Sequence, residues 1–117
     1  MLMALTAHAG VETFDNTGLA GSWVASGSFT GQENVVWTYA NARGTPTIYS
    51  NNPSITLRGG SAATKGWLLS GTITGGVEQL TATFKQVLSA KADYDVWVND
   101  RLITNYTSSG GSGSVET

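Results

Sequence analysis

Eight carboxylate side chains and a single histidine are the groups in this sequence that could carry out acid–base catalysis. Two carboxylates at a defined separation suffice for glycoside hydrolysis, and only His8 could complete a Ser-His-Asp triad. The carboxylates are scattered, however, and a solvated role is the better interpretation of each, because a catalytic carboxylate needs a shaped pocket. The sequence contains no H-E-x-x-H, no glycine-rich phosphate loop before a helix and no G-x-S-x-G elbow. We therefore expect a protein that is not an enzyme.

Residues that could bind a metal ion are equally few. The chain has no cysteine and one histidine, which excludes thiolate sites and multi-histidine sites. Glu12 and Asp15, on the first predicted strand and at its exit, could help to ligate a structural Ca²⁺, because this hard ion prefers oxygen ligands. Backbone carbonyls would have to supply most of the other ligands. We expect no cofactor and no metal site, and keep structural Ca²⁺ as the alternative.

Tryptophan is unusually frequent, with four residues in a chain of 117. Trp37 and Trp67 have apolar neighbours, which favours a place in the core for both. Trp23 and Tyr49 lie in or beside predicted loops and could line a surface. Trp97 is the most informative of the four, because the strand around it has a clear pattern.

Strand alternation predicts that Trp97 is exposed, since its inward neighbours would be Tyr94, Val96 and Val98. An exposed indole among polar groups suits a sugar, because the ring stacks on C–H groups while its neighbours bond to hydroxyls. The same surface would equally suit a protein interface, in which tryptophan and tyrosine are anchors. With the preceding strand as its expected hairpin partner, the predicted ligand-binding surface comprises Trp97, Asp95, Asn99, Gln79, Thr81, Thr83 and Lys85.

Short strand-like runs must position these residues, because helical periodicity is nearly absent. The longest run, Glu78 to Leu88, places Leu80, Ala82, Phe84 and Leu88 on one face, as in a half-buried antiparallel strand. The other predicted strands cover residues 11–14, 34–39, 54–58, 66–70, 94–98 and 101–106.

Turns and glycines complete this pattern. Asn99-Asp100 predicts a two-residue hairpin turn, since both residues tolerate positive φ. Four glycines after the first predicted strand indicate a long structured loop; they are Gly18, Gly21, Gly27 and Gly31. About eight short strands without helices predict an all-β fold, either an antiparallel β-sandwich or a barrel.

The composition limits the kinds of partner that the protein could bind. The formal net charge is -2 and only 12% of residues are charged, so the sequence lacks the basic footprint of a protein that binds duplex nucleic acid. No stretch approaches the ~20 apolar residues of a membrane span. We expect no nucleic acid among its partners and no membrane span.

The two ends differ from the middle. Residues 1–10 are apolar and close with Ala7-His8-Ala9, which is consistent with a signal-peptide remnant or with an ordinary N-terminal arm. Residues 107–117 are rich in glycine and serine and predict a flexible tail or a long exposed loop. Residues 11–106 would then form one domain, the size that a chain of this length allows.

Five short motifs follow one another over residues 11–106, and together they carry a resemblance. They are Phe14-Asp15 through Gly27-Ser28-Phe29-Thr30-Gly31, Val36-Trp37-Thr38-Tyr39 with Ala42-Arg43-Gly44, Leu57-Arg58, Ser70 with Ile73 and Gly75-Gly76-Val77, and Val96-Trp97-Val98-Asn99. In order and spacing they resemble a β-sandwich accessory module appended to secreted bacterial enzymes, including extracellular nucleases and polysaccharide-active proteins.

The resemblance implies a non-catalytic domain of jelly-roll-like fold, similar to carbohydrate-binding modules. That family usually continues with further strands after the last motif, whereas this sequence reaches its Gly/Ser-rich tail. We therefore expect a sandwich that lacks its C-terminal strands. In this context Arg43 and Arg58 are expected to bond carbonyls or a carboxylate across the sandwich, with contact to an anion or a carboxylate sugar as the alternative.

Two functions follow from these expectations. The first is a non-catalytic module for glycan binding or adhesion, located extracellularly, on a cell surface or on a virion surface. The second is a structural subunit, a virion decoration protein or an extracellular filament subunit. In that case a strand or tail from another copy would complete the open sandwich, and the protein would be a homo-oligomer.

Overall fold

The computed structural model describes residues 10–117, and every strand pairing in this range is antiparallel. The only helical element in the range is a 3₁₀ turn at Gln32–Asn34. The eight described strands are β1 (Val24–Thr30), β2 (Val36–Arg43), β3 (Thr56–Leu57), β4 (Trp67–Ser70), β5 (Phe84–Lys85), β6 (Asp93–Val98), β7 (Arg101–Thr107) and β8 (Val115–Glu116). The predicted all-β antiparallel class is confirmed, and the sandwich arrangement stays a prediction.

The described residues divide into two compact units, 10–80 and 81–117. The first contains β1 to β4 and the second β5 to β8. Between residues 10 and 117 no helix is long and apolar enough to cross a membrane. The predicted N-terminal arm or signal-peptide remnant falls, apart from Gly10, outside the described residues.

Strand β2 is the centre of the four-stranded sheet in the first unit. Strand β1 pairs along one edge of β2, with Phe29 opposite Trp37. Strands β3 and β4 follow one another along the other edge, β3 beside Ala42 and β4 beside residues 37–40. A single long strand therefore holds the other three in register.

The core of this unit is built around β1 and β2. Phe29, Tyr39 and Ala42 are buried, and the Phe29 ring stacks on that of Trp37 with 6.5 Å between centroids. The partly buried residues packed against them are Phe14, Leu19, Val24, Trp37, Ile55, Leu57 and Leu68. The prediction that Trp37 belongs to the core is confirmed.

The same prediction for Trp67 is wrong, since this side chain is 47% exposed. In β4, Leu68 lies opposite the core residue Tyr39, so alternation places its neighbours Trp67 and Leu69 on the other face. Apolar neighbours in the sequence indicated burial, but they could not indicate which face of the sheet would be covered.

Strand β1 occupies part of the segment predicted to be a loop, which is a second correction. Gly27 lies opposite Tyr39, and a Cβ at Gly27 would overlap the Tyr39 ring. Glycine at this position therefore allows the Tyr39 ring to pack closely against the backbone of β1.

The first predicted strand, residues 11–14, does not form. Phe14 has a φ of 59°, in the left-handed region, which interrupts an extended backbone. The Glu12 carboxylate holds this segment instead. Its Oε1 accepts a hydrogen bond from the Phe14 N–H at 2.8 Å, and its Oε2 accepts one from the Gln32 N–H at 3.0 Å. One side chain thus fastens this segment to the 3₁₀ turn.

The second unit contains two two-stranded sheets, β5–β8 and β6–β7. The long strand predicted for residues 78–88 is reduced to Phe84–Lys85, and Leu80 and Leu88 are exposed. At Gln86 the backbone bonds to the C-terminal segment instead, donating to Ser114 O at 3.0 Å and accepting from Gly113 N at 2.6 Å. The predicted alternation was therefore not sustained by a partner strand.

The Gly/Ser-rich segment 107–117 is folded rather than free. Ser108 is buried; its N–H donates to Ala92 O at 2.8 Å and its hydroxyl donates to Gln86 Oε1 at 2.5 Å. Residues 115–116 form β8 against β5. The composition predicted flexibility because small residues bury little apolar area, whereas hydrogen bonds hold this segment.

Replacement of Gly66 by alanine is expected to lower the free energy of unfolding by about 1–3 kcal/mol. A Cβ there would lie 2.7 Å from both Arg58 N and Asn41 O, backbone atoms that cannot move aside. Urea unfolding of Gly66→Ala and of the control Gly59→Ala, whose Cβ meets nothing within 4 Å, tests this. Equal unfolding midpoints for the two variants would contradict it.

Candidate functional site

The β6–β7 hairpin carries the exposed tryptophan. Its turn is Asn99-Asp100, with φ of 50° and 62°, as the sequence predicted. From this turn the register runs regularly to Trp97 opposite Leu102, and then shifts, so that Val96 lies opposite Thr104. Ile103 is the extra residue of a β-bulge.

The predicted exposure of Trp97 is confirmed, since 57% of the side chain is accessible. Tyr94 and Val96 are half-buried, while Asp93 and Asp95 are exposed on the alternate positions of the same strand. Val98, expected on the core side, is exposed next to the turn. Alternation therefore holds along β6 as far as Trp97.

A polar network lies on the face of the hairpin that carries Trp97. Asn105 Nδ2 donates to Asp95 Oδ1 and to Asp93 Oδ1, both at 2.9 Å, and approaches Tyr94 O at 3.2 Å. The Thr107 hydroxyl donates to the same Asp93 oxygen at 3.0 Å. One amide thus fixes two carboxylates beside an exposed indole, an arrangement that can hydrogen-bond and stack on a polar ring.

The sequence-based prediction missed Asp93, Asn105 and Thr107. The alternation of Asp93, Asp95 and Trp97 was a usable signal for the first of them. No comparable signal existed for Asn105, because a regular hairpin would place it opposite Tyr94 and on the other face. The bulge at Ile103 brings it opposite Asp95 instead.

Apart from Asn99 in its turn, the other predicted binding residues do not belong to the β6–β7 hairpin. The hydrogen-bonded partner of β6 is β7, not the strand that precedes it. Thr83 bonds to Thr117 at 3.1 Å and Lys85 lies opposite Val115, while Asn99 sits in the turn beyond Trp97. Gln79 and Thr81 lie outside every strand of the described range. The expectation that the preceding strand is the hairpin partner of β6 is wrong, because residues 86–92 do not form a tight hairpin between β5 and β6.

On its other side the hairpin packs through two of its own tyrosine rings against the ring of Phe84. Phe84 stacks on Tyr94 with 4.5 Å between centroids and on Tyr106 with 5.8 Å. Tyr94 and Tyr106 face one another across the strands because of the same bulge. The apolar side of the hairpin therefore packs on β5, and its polar side stays accessible.

The carboxylate of Glu116 holds the hairpin to β8. The Tyr106 hydroxyl donates to its Oε2, and the N–H groups of Ser109 and Gly110 donate to its Oε1 at 2.9 and 2.6 Å. These donors, the Tyr106 hydroxyl first, lower the pKa of Glu116. The same hydrogen bond raises the pKa of Tyr106, while burial, followed by the Glu116 charge, raises that of Tyr94.

Among residues 10–117, no group of three or more His, Cys, Asp or Glu side chains is placed so that it could hold a metal ion. Glu12 uses one carboxylate oxygen for each of two backbone N–H groups, and Asp15 accepts a hydrogen bond from Thr13 at 2.6 Å. A structural Ca²⁺ at Glu12 and Asp15, with carbonyls as further ligands, stays a prediction.

Comparison of this chain with models of protein families, with curated proteins and with solved structures finds no match. The resemblance to the accessory module of secreted enzymes therefore stays a hypothesis based on its five motifs.

Replacement of Glu116 by glutamine is expected to destabilise the protein in a pH-dependent way. A folded-state pKa below the ordinary value of 4.5 means that the carboxylate stabilises the fold above that value, and that this contribution disappears as the pH falls through the lowered pKa. The difference in unfolding midpoint between wild type and Glu116→Gln should thus be largest near about pH 7 and shrink toward about pH 3.

The control for this experiment is Glu78→Gln, the same chemical change at an exposed position. It should leave the midpoint nearly unchanged at each pH. A Glu116→Gln deficit that is the same at both ends of the pH range would show that the charge of Glu116 is not what stabilises the hairpin.

Proposed function

We propose that this protein is a non-catalytic module that binds glycans through the outward side of the β6–β7 hairpin. The observation that carries the proposal is the exposed Trp97 in line with the Asp95–Asn105 hydrogen-bonded pair. We name Asp93, Asp95, Trp97, Asn105 and Thr107 the hairpin polar face.

The chemistry of the hairpin polar face fits a saccharide. An indole ring offers a large apolar surface at low conformational cost, on which the C–H groups of a pyranose can lie. Carboxylate oxygens beside it accept hydrogen bonds from hydroxyl groups, and such charge-assisted bonds are stronger than neutral ones. Because Asn105 already fixes both aspartates, little side-chain entropy is lost when a ligand binds.

The composition and the resemblance support the same proposal. With 12% charged residues the surface depends on neutral hydroxyl and amide groups, which hydrogen-bond to sugars without selecting for charge. The accessory module that the motifs resemble is similar to carbohydrate-binding modules. A module of this kind would act outside the cell, on a cell surface or on a virion, where glycans are displayed.

Self-assembly is the second candidate, and a separate observation favours it. On the face of the four-stranded sheet away from the core, Val36, Trp67 and Leu69 are all exposed. Beside them, β1 forms no strand pair along its outer edge within the described residues. An apolar face next to an open edge suits another copy of the chain, which could add a strand there.

The glycan proposal predicts that Trp97→Ala weakens saccharide binding at least about 10-fold, as expected when an aromatic anchor is removed. A glycan array would identify a bound saccharide, and calorimetry on the intact chain would measure its affinity. Asn105→Ala should also weaken binding, because both aspartates lose the amide that orients them.

The matched control is Trp67→Ala, which removes another exposed indole, from the other unit. It should bind the saccharide as wild type does. Absence of any saccharide ligand for the wild-type protein, or equal affinities for Trp97→Ala and wild type, would refute the glycan proposal.

The assembly proposal predicts a homo-oligomer in solution that is lost in a Trp67→Ser/Leu69→Ser double variant and on deletion of residues 1–10. Sedimentation velocity on the intact chain and on each variant measures this. Trp97→Ser, which also removes an exposed indole, should leave the oligomer intact. A monodisperse wild-type monomer would count decisively against assembly.

A further inference from the structure

Two arginine side chains converge on one tryptophan at one end of the four-stranded sheet. The Arg43 guanidinium lies 4.3 Å from the centre of the Trp23 ring and that of Arg58 lies 5.8 Å from it. This cluster lies in the first unit, whereas the hairpin polar face lies in the second.

The strand register accounts for the convergence. Val24 at the start of β1 lies opposite Ala42 in β2, so Trp23 and Arg43 are the next residues across from one another. Arg58 follows β3, and its N–H donates to Asn41 O at 3.0 Å, which brings it to the same end of β2. Three side chains distant in the sequence are thus placed together by backbone hydrogen bonds.

Two like charges beside one ring repel each other, and the indole quadrupole only partly offsets that repulsion. Arg43 Nε is moreover buried and has no hydrogen-bond partner within the described residues. A buried donor without an acceptor is uncommon in folded proteins, and each instance calls for an explanation. An anion bound beside the two guanidinium groups would reduce the repulsion and place negative charge near this buried donor.

We propose that Arg43 and Arg58 bind an oxyanion, with Trp23 holding the two guanidinium groups in position. The planar guanidinium fork matches carboxylate and sulfate oxygens in pairs, which a lysine ammonium does not. The site is accessible, since Trp23 is 39% exposed and Arg58 is exposed. Of the two roles considered for these arginines, contact with an anion therefore has the structural support.

The oxyanion has two sources with shared chemistry, a free inorganic anion and the acidic substituent of a saccharide. The second source rests on the proposed glycan-binding function and the first does not. Sulfate, glucuronate and neutral glucose, each titrated separately at low ionic strength, distinguish these sources. Glucuronate differs from glucose in the carboxylate, so this pair isolates the charge.

We expect sulfate and glucuronate, but not glucose, to shift the indole N–H resonance of Trp23 in a saturable way in spectra of the intact protein. Arg58→Gln should weaken this binding at least about 10-fold. Arg43→Lys keeps the charge and removes the fork, and should weaken binding as well. Lys65→Gln, which removes an exposed charge from the same unit, should have little effect.

The outcomes separate the two proposals. Equal weakening by Lys65→Gln and Arg58→Gln would mean general charge attraction and would overturn the site, as would a response to glucose equal to that to glucuronate. Saturable binding of sulfate would stand even if no glycan binds at Trp97, and Trp97→Ala should leave it unchanged. Arg58 is exposed, so we expect Arg58→Gln to fold normally. An unfolding midpoint equal to that of wild type would confirm this.

Discussion

The bulge at Ile103 is the constraint on which the second unit depends. One extra residue in β7 shifts the register by one, and in a strand such a shift moves every following side chain to the opposite face. Tyr106 thereby joins Tyr94 on the side that packs on Phe84, and Asn105 joins Asp95 on the accessible side. The aromatic support and the polar face are two consequences of the same local geometry.

Polar anchors replace apolar burial in much of this protein. Only three apolar side chains of the described range are buried, and several segments are held by single side chains instead. Glu12 fastens residues 12–14 to the 3₁₀ turn, and Glu116 collects the donors of Tyr106, Ser109 and Gly110. A chain with few charges thus uses individual carboxylates as acceptors for backbone N–H groups that no strand partner satisfies.

Local patterns in the sequence predicted local features well. The Asn99-Asp100 turn, the exposure of Trp97 and the all-β class all depend on neighbours within a few residues, and all three are confirmed. Two predictions that depended on a distant partner were wrong. Residues 78–88 alternate as a strand should, yet Gln86 bonds to Gly113 and Ser114, and Trp67 has apolar neighbours but lies on the uncovered face of its sheet.

The sequence by itself therefore determined the all-β class, the position of one hairpin turn and the exposure of Trp97, because these follow from residue type and short-range sterics. The tertiary structure decided which strands pair, which face of each is covered and which polar groups meet. Asn105 with Asp95, and Arg43 with Arg58 and Trp23, are brought together by backbone hydrogen bonds between distant residues. Every residue type except proline can both donate and accept such bonds, so the side-chain pattern alone does not encode their partners.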